Sequence, residues 1–144
     1  MHTLKWVLAV ALLSTLKFNA QNLKDYQWKN RVLLLFDDSI KSPALKSQLE
    51  KFSDVPEEMV ERDLILFIVT DKGIFTRNGH LQDMPLKDAY DTAHISEKFK
   101  GVVLIGKDGG AKLKKDFEID PLVIFDLIDG MPMRKAEMRS AKKH

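Results

Sequence analysis

The 144-residue chain is long enough for one domain, carries 23 Lys and Arg against 21 Asp and Glu, and contains no cysteine. Without a thiol, disulfide redox catalysis, cysteine proteolysis and thiolate metal sites are excluded, and an exported fold must be held by its core alone. A formal charge of +2 gives no reason to expect nucleic acid as a partner.

Residues 1–20 read as a signal peptide. Met1 to Lys5 is short and carries one lysine, and Trp6 to Leu16 is an apolar run too brief to span a bilayer stably. Ala20 offers a small residue before Gln21, although Phe18 suits a small-x-small cleavage site poorly. The remaining domain, 21–144, loses Lys5 and Lys17, so its basic residues fall from 23 to 21 and equal its 21 acids. The expected location is the periplasm or the cell exterior, with no stable membrane span after cleavage.

Along the mature chain, Tyr26 and Trp28 suggest a lead-in strand or a lid over the core. Arg31 to Phe36 (RVLLLF) is nearly all apolar and predicts a strand buried on both faces, ended by Asp37-Asp38-Ser39. Ser42-Pro43 is a helix start, and Leu45, Leu49 and Phe52 give that helix one apolar face. Asp54-Val55-Pro56-Glu57 reads as a second N-cap, opening a short helix to about Arg62. Leu64 to Val69 is another apolar strand, parallel to the first through a right-handed crossover.

Asp71 to Met84 has no period; Gly73 and Asn78-Gly79 make it an exposed loop or a small hairpin. A helix marked by Leu86, Tyr90 and Ala93 runs to near Phe99 and stops at Lys100-Gly101. Val102 to Ile105 is a third buried strand, and Asp108-Gly109-Gly110 reverses the chain into Ala111 to Lys115. Lysines alternating along that last strand suit a sheet edge. Asp120-Pro121 caps a helix that is apolar around most of its girth and should be largely buried, with Asp126 and Asp129 on its exposed strip. Gly130 fits a left-handed helix end and Pro132 a stop. Met133 to Lys143 is either a short basic amphipathic helix or a frayed tail.

The order β-α-β-α-β-β-α predicts an α/β, thioredoxin-like fold: a mixed sheet of about four strands in spatial order 2-1-3-4, with helices on both faces. A flavodoxin-like layer fold is disfavoured, because the 108–110 turn is too short for a parallel crossover.

Four segments carry a resemblance: WKNRVLLLF (Trp28 to Phe36), ERDLILF (Glu61 to Phe67), VVLIGKDGGAKLK (Val102 to Lys114) and LIDGMPMRKAEM (Leu127 to Met138). Together they resemble a domain-of-unknown-function family of small exported bacterial proteins. Similar domains occur in animal extracellular matrix proteins of the sushi-repeat and coiled-coil-domain type. The resemblance implies a thioredoxin-like fold and supplies no catalytic residues. In thiol oxidoreductases of that fold, redox cysteines follow the first strand and a cis-proline precedes the third. Here those positions read Asp37 to Ser42 and Phe99-Lys100-Gly101, so both halves of a redox site are missing.

Candidate binding residues are Arg62, Lys107, Asp108, Asp129, Met131, Met133, Arg134 and Glu137. Lys107 to Gly110 could nest a phosphate, although a plain hairpin turn explains it better. Arg62 is expected to pair with carboxylates of the last helix. Met131, Met133 and Arg134, with Glu137, either form a plastic partner surface or pack the sheet end around a surface ion pair. No cofactor and no metal-ligand set is expected; His80 and His94 lack ligand spacing, and no nucleophile motif is present.

Two functions compete. The first is an exported, non-catalytic thioredoxin-like domain that binds a protein or envelope component. The second is an enzyme on a phosphorylated or peroxidic substrate, which requires Asp37, Asp38, Arg62 and Lys107 to converge in one pocket.

Overall fold

A computed structural model describes residues 22–143 of the chain. The expected signal peptide, 1–20, lies outside the described residues. The lead-in is not a strand but a 3-10 helix, Leu23–Tyr26. It acts as a lid: Leu23 is buried, and the Tyr26 ring lies 5.6 Å from that of Phe67.

The sheet has five strands: β1 Arg31–Phe36, β2 Leu64–Thr70, β3 Gly73–Thr76, β4 Gly101–Ile105 and β5 Ala111–Lys115. Their spatial order is β3-β2-β1-β4-β5. The four expected strands stand in the expected order, and β3 adds a fifth at the edge. β1 and β2 are parallel, with Arg31 opposite Leu64 and Phe36 opposite Val69. β4 runs antiparallel to both β1 and β5. The glycine turn at 108–110 therefore closes a hairpin, with Gly109 at φ +85° and its amide on the Gly106 carbonyl. Gly101 starts β4 at φ +146°, where a Cβ would collide with the Lys115 carbonyl.

β3 comes from the stretch with no period. Gly73, at φ +140°, reverses the chain straight out of β2, so that Ile74 pairs with Val69 and is buried. The Asn78-Gly79 turn then brings Leu81 opposite Phe75. The hairpin reading is the correct one, and half of it joins the main sheet.

Alternation along β1 divides the core. Leu33 and Leu35 face one cluster with Leu45, Phe52, Met59, Ile124, Phe125 and Ile128. Val32, Leu34 and Phe36 face the other, with Phe67, Val69, Val103, Ala89 and Ala93. The first face carries helices α1 (Pro43–Ser53), α2 (Pro56–Glu61) and α4 (Pro121–Asp129); the second carries α3 (Leu86–Ala93). Ser42 caps α1, its Oγ accepting from the Leu45 amide, and Asp120 caps α4 in the same way through Leu122. Gln48 is fully buried, yet its amide group donates to the Ile119 carbonyl and accepts from the Ile119 amide, so neither end is stranded.

Three local expectations fail for local reasons. Asp54 ends α1 in a right-handed conformation, and the N-cap of α2 is Val55, which has no side-chain acceptor. Gly130 is right-handed at φ −83°, and Pro132 opens the next helix, α5 (Pro132–Lys142), at its first position instead of stopping the chain. α4 is not buried around its girth: Ile124, Phe125 and Ile128 face in, whereas Leu122, Val123 and Leu127 are exposed at 61%, 48% and 37%.

Candidate functional site

The charged residues of the sequence signature meet at the N-terminal end of β1. Arg31 opens that strand and shares a face with Leu33 and Leu35, so its side chain enters the interior; the residue is 1% exposed. Buried guanidinium needs acceptors. Nη1 donates to the Arg62 carbonyl at 2.9 Å, while Nη1 and Nη2 each meet one oxygen of Glu137, at 3.2 and 3.3 Å. Its Nε is buried without a hydrogen-bond partner.

Lys107 leaves the end of β4 toward the same point and is 9% exposed. Its Nζ donates to Glu137 Oε1 at 2.6 Å and to Asp63 Oδ2 at 2.8 Å. Asp63 reaches this position from a left-handed turn, φ +49°, between α2 and β2, where its carbonyl also accepts from the Arg31 amide. A second group adjoins the first. Arg62 makes a two-pronged bond to Asp129, at 3.0 and 2.8 Å, with its guanidinium 4.7 Å above the Phe125 ring. Arg134 donates to Asp129 and to Glu61, each at 3.1 Å, and is buried.

Arg31, Arg62, Lys107 and Arg134 are thus matched by Glu61, Asp63, Asp129 and Glu137. Burial is the largest influence on Glu137 and raises its proton affinity. Hydrogen bonds from Lys107 and Arg31, with their charges, outweigh it and hold the carboxyl below its ordinary range. Asp129 behaves alike: burial raises it, and bonds from Arg62 and Arg134 bring it below the ordinary value. Lys107 is the mirror case. Burial lowers its affinity first, but Asp63 and Glu137 raise it above the ordinary value overall.

Of the residues singled out from sequence, the fold brings together Arg62, Lys107, Asp129, Arg134 and Glu137. The Arg62 pair with the last helix of the core is present as expected. Arg134 and Glu137 do not form an isolated surface pair; at 3.9 Å they belong to a part-buried network. Asp108 lies outside it, bonded to Lys112 at 2.7 Å and accepting from the Gly110 amide at 3.0 Å, and Lys112 above all holds its carboxyl below the ordinary value. With Lys107 committed to two carboxylates and the turn amides to local acceptors, the phosphate nest is not formed. Met131 is half-buried against the first core cluster, and Met133 is 39% exposed. Both wall a cavity of about 240 Å³ that also touches Arg31, Lys107 and Lys112.

Sequence reasoning missed Arg31, Glu61 and Asp63 as members. Arg31 was hidden in an apolar run, where a lone cation inside an otherwise buried strand was itself the signal.

Asp37 and Asp38 are elsewhere, at the opposite end of β1. Asp37 accepts from the Ser42 hydroxyl, and Asp38 pairs with Lys100 at 2.7 Å. The four groups required by the carboxylate enzyme therefore do not converge. Among the described residues, no cluster of three or more His, Asp or Glu could hold a metal ion, and no helix is long and apolar enough to cross a membrane.

A family model described as a domain of unknown function, DUF4174, matches residues 22–137. No curated protein matches. Among solved structures, the chain is similar to a reduced 2-Cys peroxiredoxin of Plasmodium vivax, with 18% identity over 85% of each chain and a TM-score of 0.55. It is also similar to thioredoxin peroxidase I of Plasmodium yoelii, with 16% identity over 79% of each chain and a TM-score of 0.52. At these identities the likeness establishes the thioredoxin-like fold alone.

Proposed function

The chain belongs to DUF4174, a family of domains of unknown function, and from its chemistry and surface we propose that it is an exported, non-catalytic binding domain on a thioredoxin-like frame. Its work is to hold a protein or envelope component in the periplasm or outside the cell. The similar solved structures include a 2-Cys peroxiredoxin; this chain has no cysteine and so no thiol to oxidise. The resemblance to small exported bacterial proteins and to animal matrix proteins points the same way.

The observation that carries the reading is the outward face of the C-terminal helices. Leu122, Val123, Leu127 and Met133 expose large apolar side chains, and α5 adds exposed Lys135, Arg139 and Lys142. Apolar anchors rimmed by charge are the usual make-up of a protein-contact patch. Arg62, Asp129, Arg134 and Glu137 then act by holding α4 and α5 in place, Met133 belongs to the patch, and Asp108 and Met131 line the cavity that Met133 also walls.

The test is capture of envelope proteins by immobilised domain 21–144, compared with the double substitution Leu122→Asp and Leu127→Asp. A partner retained by the parent and lost at least tenfold by the variant is the expected result. Equal capture removes this surface. Fractionation of cells should place the mature protein outside the cytoplasm, and recovery of the uncleaved chain in the cytoplasm would end the export proposal.

A further inference from the structure

α5 is attached to the body in an unusual way. The residue of this helix that is buried is Arg134, and Glu137, half-buried, is its other anchor; both are ionic. Helices are ordinarily held by an apolar stripe, so the pair beneath Glu137 has to be judged as a site in its own right. Arg31 and Lys107 are each nine-tenths or more buried, Arg31 in β1 and Lys107 in the β4–β5 turn, neither on α5. They meet a planar two-oxygen group in the fork geometry that suits carboxylate: one guanidinium nitrogen to each oxygen, with the ammonium on the nearer side. Two cavities flank the position. One, of about 240 Å³, is walled by Met131, Pro132 and Met133 with Arg31 and Lys107 at its floor. The other, of about 660 Å³, lies between α5, from Arg134 to Lys142, and Glu61 and Asp63.

We propose that Arg31 and Lys107 form a carboxylate-binding seat which Glu137 fills from within the chain, and that the carboxylate of a partner peptide takes this seat by displacing α5. The apolar wall beside the seat favours a carboxylate carried on an apolar neighbour sequence, and the ionic attachment of α5 lets it leave without exposing a packed core. The Nε of Arg31, buried without a partner, is a donor that the internal ligand leaves unused. This inference goes beyond the binding role above and can fail while that role stands, because its test needs no partner.

The full chain carrying Glu137→Gln is titrated with sodium acetate and, at equal ionic strength, with sodium chloride, while thermal unfolding is followed. The seat predicts a saturable rise in Tm with acetate, at concentrations at least tenfold lower than any acetate response of the parent, and no such rise with chloride. Adding Lys107→Met should abolish it. Identical responses to the two salts, or an acetate response that survives loss of Lys107, overturns the proposal. Should Glu137→Gln not fold, amide exchange of the parent decides: acetate must speed exchange in 132–142 beyond the effect of chloride, and an unchanged rate refutes displacement.

Discussion

The two ends of β1 hold opposite kinds of charge. At its start, Arg31 is sealed in a network of four cations and four carboxylates that reaches from the α2–β2 turn to α5. At its finish, Asp37 and Asp38 border a crevice beside Tyr90 and Phe99, Asp37 bonded to Ser42 and the exposed Asp38 to Lys100. Similar residue types do different work because the cations at the start of β1 are largely buried while their carboxylates reach partly into water, whereas both members of the Asp38–Lys100 pair at its finish are exposed. Buried groups must be matched nearly one for one, since an unpaired charge there is costly. Open carboxylates are already solvated, and their pairs add little.

Substitutions can break that contrast. The largest effect is expected from Arg31→Ala, which leaves Glu137 and Lys107 without their third member. Loss of one partner from a buried ionic group costs about 3–5 kcal/mol, read as a fall in the urea midpoint with unchanged slope. A loss below about 1 kcal/mol would mean that the network is wetter than its geometry indicates.

Acid should expose the same end next. Glu137 and Asp129 hold their protons less tightly in the fold than their ordinary values of 4.5 and 3.8. Their stabilisation is therefore complete above those values and fades as pH drops through the depressed folded values. Lys107 gives the opposite limb: its contribution is complete below its ordinary 10.5 and is lost as pH climbs through the raised folded value. Stability measured against pH should fall below pH 4.5, and Glu137→Gln together with Asp129→Asn should flatten that fall. An acid limb of unchanged steepness would place its origin elsewhere.

The open end predicts smaller changes. Ser42→Ala removes the α1 cap and should cost about 1 kcal/mol. Asp38→Asn should leave the urea midpoint unchanged within error, even though it cuts the pair with Lys100. A clear loss at Asp38 would show that the crevice is less open than its exposure implies.

What could be read in the sequence follows the same division. The buried strands announced themselves through RVLLLF, LILFIV and VVLI, because a run apolar on both faces has few alternatives. The 108–110 reversal was equally plain, since Asp-Gly-Gly tolerates the geometry it needs. β3 was harder. Of its four residues only Ile74 is buried, and Gly73 looks like a loop residue until the adjacent strand offers it a ladder. The apolar girth of α4 misled for a different reason: composition tells how much apolar surface a helix has, not how much of it other elements cover. At the ionic end, Lys107 and Glu137 were visible as a signature, but not their convergence. They are 30 residues apart, and Arg31 is 106 from Glu137; only the finished topology brings them within bonding distance.

The left-handed turn at Asp63 limits what evolution or an engineer can place there. The position asks for two properties at once: tolerance of positive φ, and a negative charge short enough to reach Lys107. Asparagine keeps the first and forfeits the second. Glutamate keeps the charge but fits the backbone poorly, and glycine offers only freedom. Aspartate alone among the twenty answers both demands, so tolerance at this one site should be narrower than at any core leucine, where several aliphatic shapes would serve.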